Sequence, residues 1–204
     1  MIITISGESG SGKSTVAKAL GQRLNLPAID VGSLFREMAA EHGMDVIAFG
    51  SYAQSHPEID HELDRKMIAL CRRQKNLILQ GRLAGWMTKR DSLKACRIWI
   101  GATAETRAKR VAGREKIPFE RAYADTCRRD EDNRNRYRQT YGLDLNDLSI
   151  YDTVIQTDNL TIEEVVSALI SEIPKVWPKK RKSKTNKRLN RPLKRRKRPA
   201  SRAK

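Results

Sequence analysis

Residues 7–14 read Gly7-Glu8-Ser9-Gly10-Ser11-Gly12-Lys13-Ser14 and directly follow the isoleucine-rich run 2–6. The spacing matches G-x-x-x-x-G-K-[ST], the pattern of a phosphate-binding loop or P-loop. Glycines let such a loop turn tightly and bring backbone N–H groups close to phosphate oxygens. The lysine reaches the β- and γ-phosphates of a nucleoside triphosphate, and the serine hydroxyl ligates Mg²⁺. The stretch therefore predicts a nucleoside triphosphate site, with a plain glycine-rich turn as the structural alternative.

Short apolar strands alternate with helices on either side of this loop and along the rest of the chain. Strands are predicted over residues 2–6, 27–31, 76–80, 96–100 and 153–156. Helices are predicted over residues 13–24, 33–73, 104–113, 118–141 and 161–173, the second of them capped by Ser33 and interrupted near Gly43 and Gly50. Such alternation is typical of βαβ units, so we predict an α/β fold with a five-stranded parallel sheet flanked by helices.

The formal net charge of +17 is concentrated at one end of the chain. Residues 175–204 carry 16 lysines and arginines and no acid, so residues 1–174 have a net charge of only +1. We expect one domain over residues 1–174 and a disordered basic tail over residues 175–204, because the tail has almost nothing apolar to bury. The tail is either a solubilising extension or makes sequence-independent contact with nucleic acid phosphate, above all RNA. An acidic membrane surface is a third alternative, but the tail lacks an amphipathic or lipidated companion segment for it.

The cysteines and the hydropathy pattern exclude several other classes of protein. Cys71, Cys96 and Cys127 are odd in number and lack metal-ligand spacing, which argues against a disulfide framework and a zinc site. No apolar run approaches the ~18–20 residues that span a bilayer. A strand that begins next to Met1 leaves no room for a signal peptide. We therefore expect a cytoplasmic protein with buried or unreactive thiols.

Arginines are concentrated in the helices predicted after the fourth strand. Arg107, Arg110 and Arg114 have the spacing i, i+3 and i+7, which is one face of a helix. A second set follows at positions 128, 129, 134 and 136. Like charges this close repel one another, which favours a phosphate clamp used in phosphoryl transfer. A solvated basic face, balanced by the acids at positions 130–132, is the alternative.

Six stretches carry a family resemblance that covers residues 1 to about 173: "ISGESGSGKST", "DVGSLFRE", "SHPEIDHELDR", "GRLAGWM", "RRDEDNRNRY" and "YGLDLNDLSIYDTVI". They resemble the nucleoside monophosphate kinases, and most closely the archaeal-type cytidylate kinases. The resemblance implies a P-loop kinase fold with a small lid over about residues 113–119. It also implies transfer of a phosphoryl group from ATP to CMP or dCMP with Mg²⁺. Separately from the resemblance, we expect a monomer without membrane contact.

The same resemblance implies roles for individual residues, in three groups. The phosphates of ATP are held by Gly7, Glu8, Ser9, Gly10, Ser11, Gly12, Lys13, Ser14, Thr15, Arg110 and Arg114. The monophosphate is faced by Ser33, Arg36 and Arg82. The transferring phosphoryl group is contacted by Lys13, Arg110, Arg129, Arg134 and Arg136. Glu8, where relatives often have proline, is expected to be exposed and inert as a side chain.

The predicted metal site departs from the family pattern. Related kinases usually carry an acid at the end of the third strand, where this chain has Gln80. Asp30 ends the second strand and is the nearest alternative acid, so Ser14 and Asp30 are the predicted ligands of Mg²⁺. Capping of the following helix is an equal alternative for Asp30.

Three interpretations of function stay open at the level of sequence. The first is a metabolic nucleotide kinase with a basic tail that tethers the enzyme. The second is a P-loop ATPase that acts in RNA or ribosome assembly, and the third is a kinase for another small acceptor such as AMP. The chain has no Asn-Lys-x-Asp segment of the kind that reads guanine, and no convincing nucleophile–base pair. The absence of such a pair from the sequence fits direct in-line transfer of a phosphoryl group, in which positioning and charge neutralisation provide the catalysis.

Overall fold

A five-stranded parallel sheet organises residues 1–176, the part of the chain that the computed structural model describes. The strand order is β2-β3-β1-β4-β5, and each neighbouring pair is parallel. The central strand β1 is buried over its whole length, and its last residues pair with the ends of β3 and β4. The strands are β1 Ile2–Ser6, β2 Ala28–Asp30, β3 Leu77–Gln80, β4 Ala95–Gly101 and β5 Thr153–Gln156.

Eight helices accompany this sheet within the described residues. They are α1 Lys13–Leu24, α2 Val31–Glu41, α3 Val46–Ser55, α4 Pro57–Arg73, α5 Ala84–Arg90, α6 Ala104–Glu115, α7 Phe119–Tyr141 and α8 Ile162–Val176. Helices α1 and α8 cover one face of the sheet, where isoleucines of β1 and β4 pack against Leu20 and Leu169. Helices α4 and α5 cover the other face, where Met67 and Met87 meet Leu77 and Leu79 of β3. The core is therefore two-sided, as continuous apolar strands require.

The predicted five-stranded parallel sheet is confirmed, and the differences lie at element boundaries. Helix α2 begins at Val31, and its cap is Asp30, whose carboxylate accepts a hydrogen bond from the Gly32 N–H (3.0 Å). The prediction that Ser33 caps this helix was wrong, because β2 passes into α2 without a loop and the aspartate reaches the free N–H first.

Three further helical features differ from the prediction. Gly43 does separate α2 from α3, with φ +66°, whereas Gly50 lies inside α3 and does not interrupt it. The second break falls at His56, just before Pro57 opens α4. Helix α5 was not predicted, because seven residues are too few to show a helical hydrophobic period.

The carboxyl-terminal end of the described chain is helical. Helix α8 runs to Val176 and so includes Lys175, the first residue of the predicted tail. The Nζ of Lys175 donates a hydrogen bond to the carboxylate of Glu172 (2.7 Å). The remaining residues of the predicted tail, 177–204, lie outside the described residues. Among helices that are described, none combines the length and the apolar character needed to cross a membrane.

All three cysteines are free thiols. Cys71 and Cys96 are buried, and burial raises the pKa of Cys71 to about 11 and that of Cys96 to about 12. These two thiols are therefore protonated and unreactive at neutral pH, as predicted.

Candidate active site

The P-loop leaves β1 at Gly7 and enters α1 at Lys13, in the middle of the carboxyl edge of the sheet. Gly10 and Gly12 have φ of +80° and +95°, a region that other residues rarely adopt. A Cβ at Gly7 would lie 2.1 Å from the carbonyl oxygen of Ile100, so the loop packs directly on the backbone of β4. Gly12 caps α1 without a side-chain hydrogen bond, which leaves the first N–H groups of the helix to a ligand.

Lys13 is folded back over this loop. Its Nζ donates a hydrogen bond to the backbone carbonyl of Glu8 (2.5 Å). Burial, reinforced by the positive charge of Arg82, lowers the pKa of Lys13 to about 7. An anion placed here would restore the charge of the lysine and relieve its repulsion with Arg82.

A cavity of about 640 Å³ opens on one side of the loop. Its polar end is formed by residues 10–15 of the P-loop and by Arg110 and Arg114 of α6, and its apolar end by Leu160 and Ile162. Arg110 is anchored there by hydrogen bonds from its guanidinium to the carbonyls of Ser11 (3.2 Å) and Thr157 (2.6 Å). Arg114 is exposed and pairs with Glu115 (2.7 Å). The cavity suits a triphosphate at one end and a flat apolar ring at the other.

A second cavity, of about 950 Å³, lies between helices α2, α3 and α4 and the arginine-rich side of α7. Arg82, Arg129 and Arg136 line it, together with Phe35 and Asn133. A smaller space of about 220 Å³ separates the P-loop from α7 and contains Arg134. Arg82 and Asn133 line both spaces, so Arg82 lies between the P-loop and the second cavity.

Arg82 has no hydrogen bond or ion pair with any described residue, and the same holds for the side chains of Arg129 and Arg134. By contrast, Arg136 forms a two-pronged ion pair with the buried carboxylate of Asp60 at the start of α4 (2.5 and 2.8 Å). Asp60 was not among the predicted site residues, although it lies in the quoted stretch "SHPEIDHELDR". Arg128 also pairs with an acid, Asp125 (3.1 Å). The second set thus contains two arginines held by acids and two, Arg129 and Arg134, that face the open spaces without an acid partner among the described residues.

Two of the predicted acceptor residues, Ser33 and Arg36, lie at the junction of β2 and α2. Arg36 donates to the hydroxyl of Ser33 (2.8 Å) and to the carboxylate of Asp30 (3.3 Å), and its side chain is exposed. Neither residue lines the second cavity, where Phe35 of the same helix does. Their predicted contact with a monophosphate stays a prediction.

Two other expectations about side chains were wrong. Arg107 does not belong to an open clamp with Arg110 and Arg114, because its side chain is buried and turns inward to Asp130 (2.7 Å). Glu8 is half-buried rather than exposed: its carboxylate pairs with Arg107 (3.3 Å), and burial raises the pKa of this carboxyl despite that arginine. Helical spacing placed the three arginines on one side of α6, but only packing decides which of them points into the protein.

The predicted metal ligands belong to a small set of oxygen donors at the same edge of the sheet. Asp30 accepts a hydrogen bond from the Gln80 amide, and the other amide atom, Gln80 Oε1, is buried without a partner. Ser14 opens α1 on the neighbouring P-loop and is exposed. Hydroxyl, carboxylate and amide oxygens are donors that Mg²⁺ accepts, usually with several waters, so these residues fit that ion. Clusters of three or more His, Cys, Asp or Glu side chains that could hold a metal do not occur in residues 1–176.

The P-loop, the triphosphate-sized cavity and the arginine-lined cavity opposite it define a P-loop kinase, an enzyme that transfers a phosphoryl group. Residues 2–159 match the sequence model of the cytidylate kinase-like family. The chain belongs to this family, which confirms the resemblance drawn from its motifs.

Individual relatives cover most of the chain. The cytidylate kinase of Pyrococcus horikoshii is 42% identical over 178 residues, which make up 87% of this chain and 91% of the relative. The cytidylate kinase of Methanocaldococcus jannaschii is 42% identical over 174 residues, 85% of this chain and 97% of the relative. The domain thus aligns with these relatives over almost their whole length.

Solved structures with much lower identity share the fold. An uncharacterized protein from Eubacterium ventriosum superposes with a TM-score of 0.66 at 21% identity, over 85% of this chain and 98% of that one. Shikimate kinase from Aquifex aeolicus superposes with a TM-score of 0.59 at 19% identity, over 85% and 96% of the two chains. These likenesses confirm the P-loop kinase fold and carry no information on the substrate.

The lowered pKa of Lys13, about 7, predicts that triphosphate binding takes up a proton above neutral pH. Lys13 is largely neutral above pH 7 in the free protein, and bound phosphates favour its charged form. Affinity should therefore fall as pH rises above 7, by up to tenfold per pH unit. Calorimetric titration with ATP at about pH 8.5, in two buffers of different ionisation enthalpy, measures the uptake directly, because the nucleotide phosphates are then fully ionised.

Lys13→Arg is the matched control for this titration, because its guanidinium stays charged over the whole range. We expect the variant to bind ATP without proton uptake. Equal uptake by the wild type and Lys13→Arg would show that another group titrates.

Proposed function

We propose that this protein transfers the γ-phosphoryl group of ATP to CMP or dCMP and releases ADP with CDP or dCDP. The observation that carries the proposal is Arg82, which has no partner among the described residues and lies between the P-loop and a second cavity. A donor nucleotide fits the cavity beside α6, and a monophosphate fits the arginine-lined cavity beside α7. The relatives named cytidylate kinase, about 42% identical, support cytosine nucleotides as the acceptors.

On the donor side, backbone groups of this chain would provide most of the contacts with ATP. The N–H groups of the P-loop and the free amino-terminal end of α1 would hold the β- and γ-phosphates. Lys13 would give up its hydrogen bond to the Glu8 carbonyl and donate to a phosphate oxygen instead, because that oxygen carries more negative charge. Arg110, already tied to the loop and to Thr157, would keep the adjoining phosphate in place.

On the acceptor side, arginines would orient the attacking phosphate. An oxygen of the monophosphate forms the new bond to the γ-phosphorus while the bond to the ADP oxygen breaks. No covalent enzyme intermediate is needed, so the protein contributes orientation and positive charge. Arg82 would hold the monophosphate, and Arg129 and Arg134 would approach the moving group from α7. The guanidinium of Arg136 is held by Asp60, so this arginine would orient its neighbours on α7 rather than bind the phosphoryl group itself.

Mg²⁺ would be held by Ser14 and Asp30, with Gln80 beside them. When bound, the ion supplies charge neutralisation between the β- and γ-phosphates. Asp30 has two further duties in this structure, as the cap of α2 and as the partner of Arg36. Water-mediated rather than direct contact with the ion would suit a carboxylate engaged in this way.

We also propose that the segment over about residues 113–119 acts as the lid. It includes the last turn of α6 and the connection to α7, which is only residues 116–118. Closure over the donor cavity would keep water from the γ-phosphate and so prevent hydrolysis of ATP. The domain over residues 1–174 would be sufficient for this reaction, as a cytoplasmic monomer.

The reaction is tested by ADP formation with ATP, Mg²⁺ and a panel of CMP, dCMP, UMP, AMP and GMP. We expect rapid turnover that requires an acceptor, with CMP or dCMP preferred. Lys13→Ala should lower the rate about 10²–10³-fold, since it removes a charge aimed at the transition state. Lys18→Ala, an exposed lysine of the same helix, is the control and should stay active. Acceptor-independent ADP formation would instead support the ATPase interpretation, and a preference for AMP a different kinase.

The acceptor site is tested by Arg82→Ala and Arg36→Ala. Loss of one charge-assisted phosphate contact costs about 1.5–3 kcal/mol, so the KM for CMP should rise roughly ten- to hundredfold while the KM for ATP changes little. Arg82→Ala should leave the melting temperature unchanged, because Arg82 has no protein partner to lose within the described residues. Arg72→Ala, an exposed arginine paired with Asp91, is the control. A raised KM for ATP with an unchanged KM for CMP would place the acceptor elsewhere.

The tail, residues 177–204, is proposed to contact RNA without sequence preference. Support comes from its composition alone, which is rich in lysine and arginine and poor in aromatic residues for base stacking. Truncation after Val176, the last residue of α8, should leave kinase activity intact and remove most RNA affinity. RNA binding by the full chain should weaken steeply with salt. In a plot of log binding constant against log salt concentration, each neutralised phosphate should contribute roughly −0.7 to −0.9 to the slope. Equal RNA binding by both forms would refute the proposal.

A further inference from the structure

Arg107 is the one arginine that is buried among residues 1–176, with 4% of its side chain exposed. Its guanidinium makes four contacts with the chain. The carbonyl of Ala102 accepts from Nε (3.0 Å), and the carbonyl of Ser9 accepts from Nη1 (3.2 Å). Nη2 faces the carboxylates of Asp130 (2.7 Å) and Glu8 (3.3 Å).

These contacts join three elements that are far apart in sequence. Ala102 follows β4, Glu8 and Ser9 belong to the P-loop, and Asp130 belongs to α7. The backbone of α6 also presses on the loop, since a Cβ at Gly10 would lie 2.9 Å from the Arg107 carbonyl oxygen. Arg107 is therefore the point at which the donor loop is attached to the helix that carries the acceptor arginines.

A direct contact between Arg107 and a phosphate does not fit this geometry. Its side chain lines neither the donor cavity nor the acceptor cavity, and two carboxylates already surround it. Because these carboxylates already neutralise the guanidinium, the ion cluster has no positive charge left to attract a further anion. Its action on substrates must then pass through the groups that it holds.

We propose that Arg107 is a positioning residue that couples occupancy of the donor cavity to affinity in the acceptor cavity, an inference that rests on the proposed kinase function. Glu8 is the link on the donor side. Its backbone carbonyl is held by Lys13 and its carboxylate by Arg107, so a triphosphate that draws Lys13 away changes the position of Glu8. Through Arg107 the change reaches Asp130 of α7.

On the acceptor side, Asp130 is adjacent to Arg129 and one helical turn before Arg134. Both arginines face the spaces next to Arg82. Because a buried, hydrogen-bonded ion pair is costly to break, Asp130 and Arg107 move together rather than apart. A bound donor should therefore tighten monophosphate binding, and by linkage the monophosphate should tighten donor binding by the same factor.

The experiment measures that factor in the full-length protein. CMP is titrated calorimetrically with and without a non-hydrolysable ATP analogue and Mg²⁺, and the analogue is titrated with and without CMP. We expect the wild type to show a coupling factor of at least about fivefold, equal in both directions. Glu8→Gln, Asp130→Asn and Arg107→Lys should each reduce it to less than about twofold. Lys109→Gln removes an exposed charge of α6 whose one ion-pair partner within residues 1–176 is Glu105, and should leave the factor unchanged.

The outcomes separate this inference from the function on which it rests. A wild type that neither binds CMP nor forms ADP with it would overturn the proposed function. A wild type that does both with a factor near one, or variants that keep the wild-type factor, would overturn the role of Arg107. A lower melting temperature with unchanged coupling would show a merely structural ion cluster. Glu8→Gln decides the matter if the variants of the buried pair fail to fold, because a third of the Glu8 side chain is exposed.

Discussion

The site depends on direct packing of backbone against backbone at the P-loop. At Gly7 the loop touches the carbonyl of Ile100 in β4, and at Gly10 it touches the backbone of α6 at Arg107. A side chain at Gly7 would push the loop away from β4, and one at Gly10 would push it away from α6. Close packing of this kind keeps the loop's N–H groups in place before any phosphate arrives, which is what preorganised charge stabilisation requires.

Positive charge without a counter-ion is the second feature of the site. Arg82 has no partner in the described chain, and burial with Arg82 close by leaves Lys13 only half charged near neutral pH. Two other arginines near the site are neutralised: Arg107 is held by Asp130 and Arg136 by Asp60. Unbalanced positive charge therefore remains where phosphates are expected to meet, and the protein accepts the cost of repulsion there.

Two polar side chains at the site, Glu8 and Gln80, are engaged by other residues of the protein. The carboxylate of Glu8 joins the buried cluster around Arg107. The amide of Gln80 donates a hydrogen bond to Asp30. A neutral amide beside Asp30 avoids the repulsion that two carboxylates would suffer in a half-buried site.

The sequence by itself determined the P-loop, the parallel α/β sheet and the family, because these depend on local patterns: a glycine spacing, the alternation of apolar strands with helices, and contiguous motifs. Tertiary structure alone decided the direction of the charged side chains. Helical spacing grouped Arg107 with Arg110 and Arg114, yet α6 packs so that Arg107 is buried against Asp130 while Arg110 faces the donor cavity. Arg136 and Asp60 are 76 residues apart, so no local pattern could pair them. An ion pair forms where packing brings two opposite charges close together. The spacing of residues within either segment does not predict that contact.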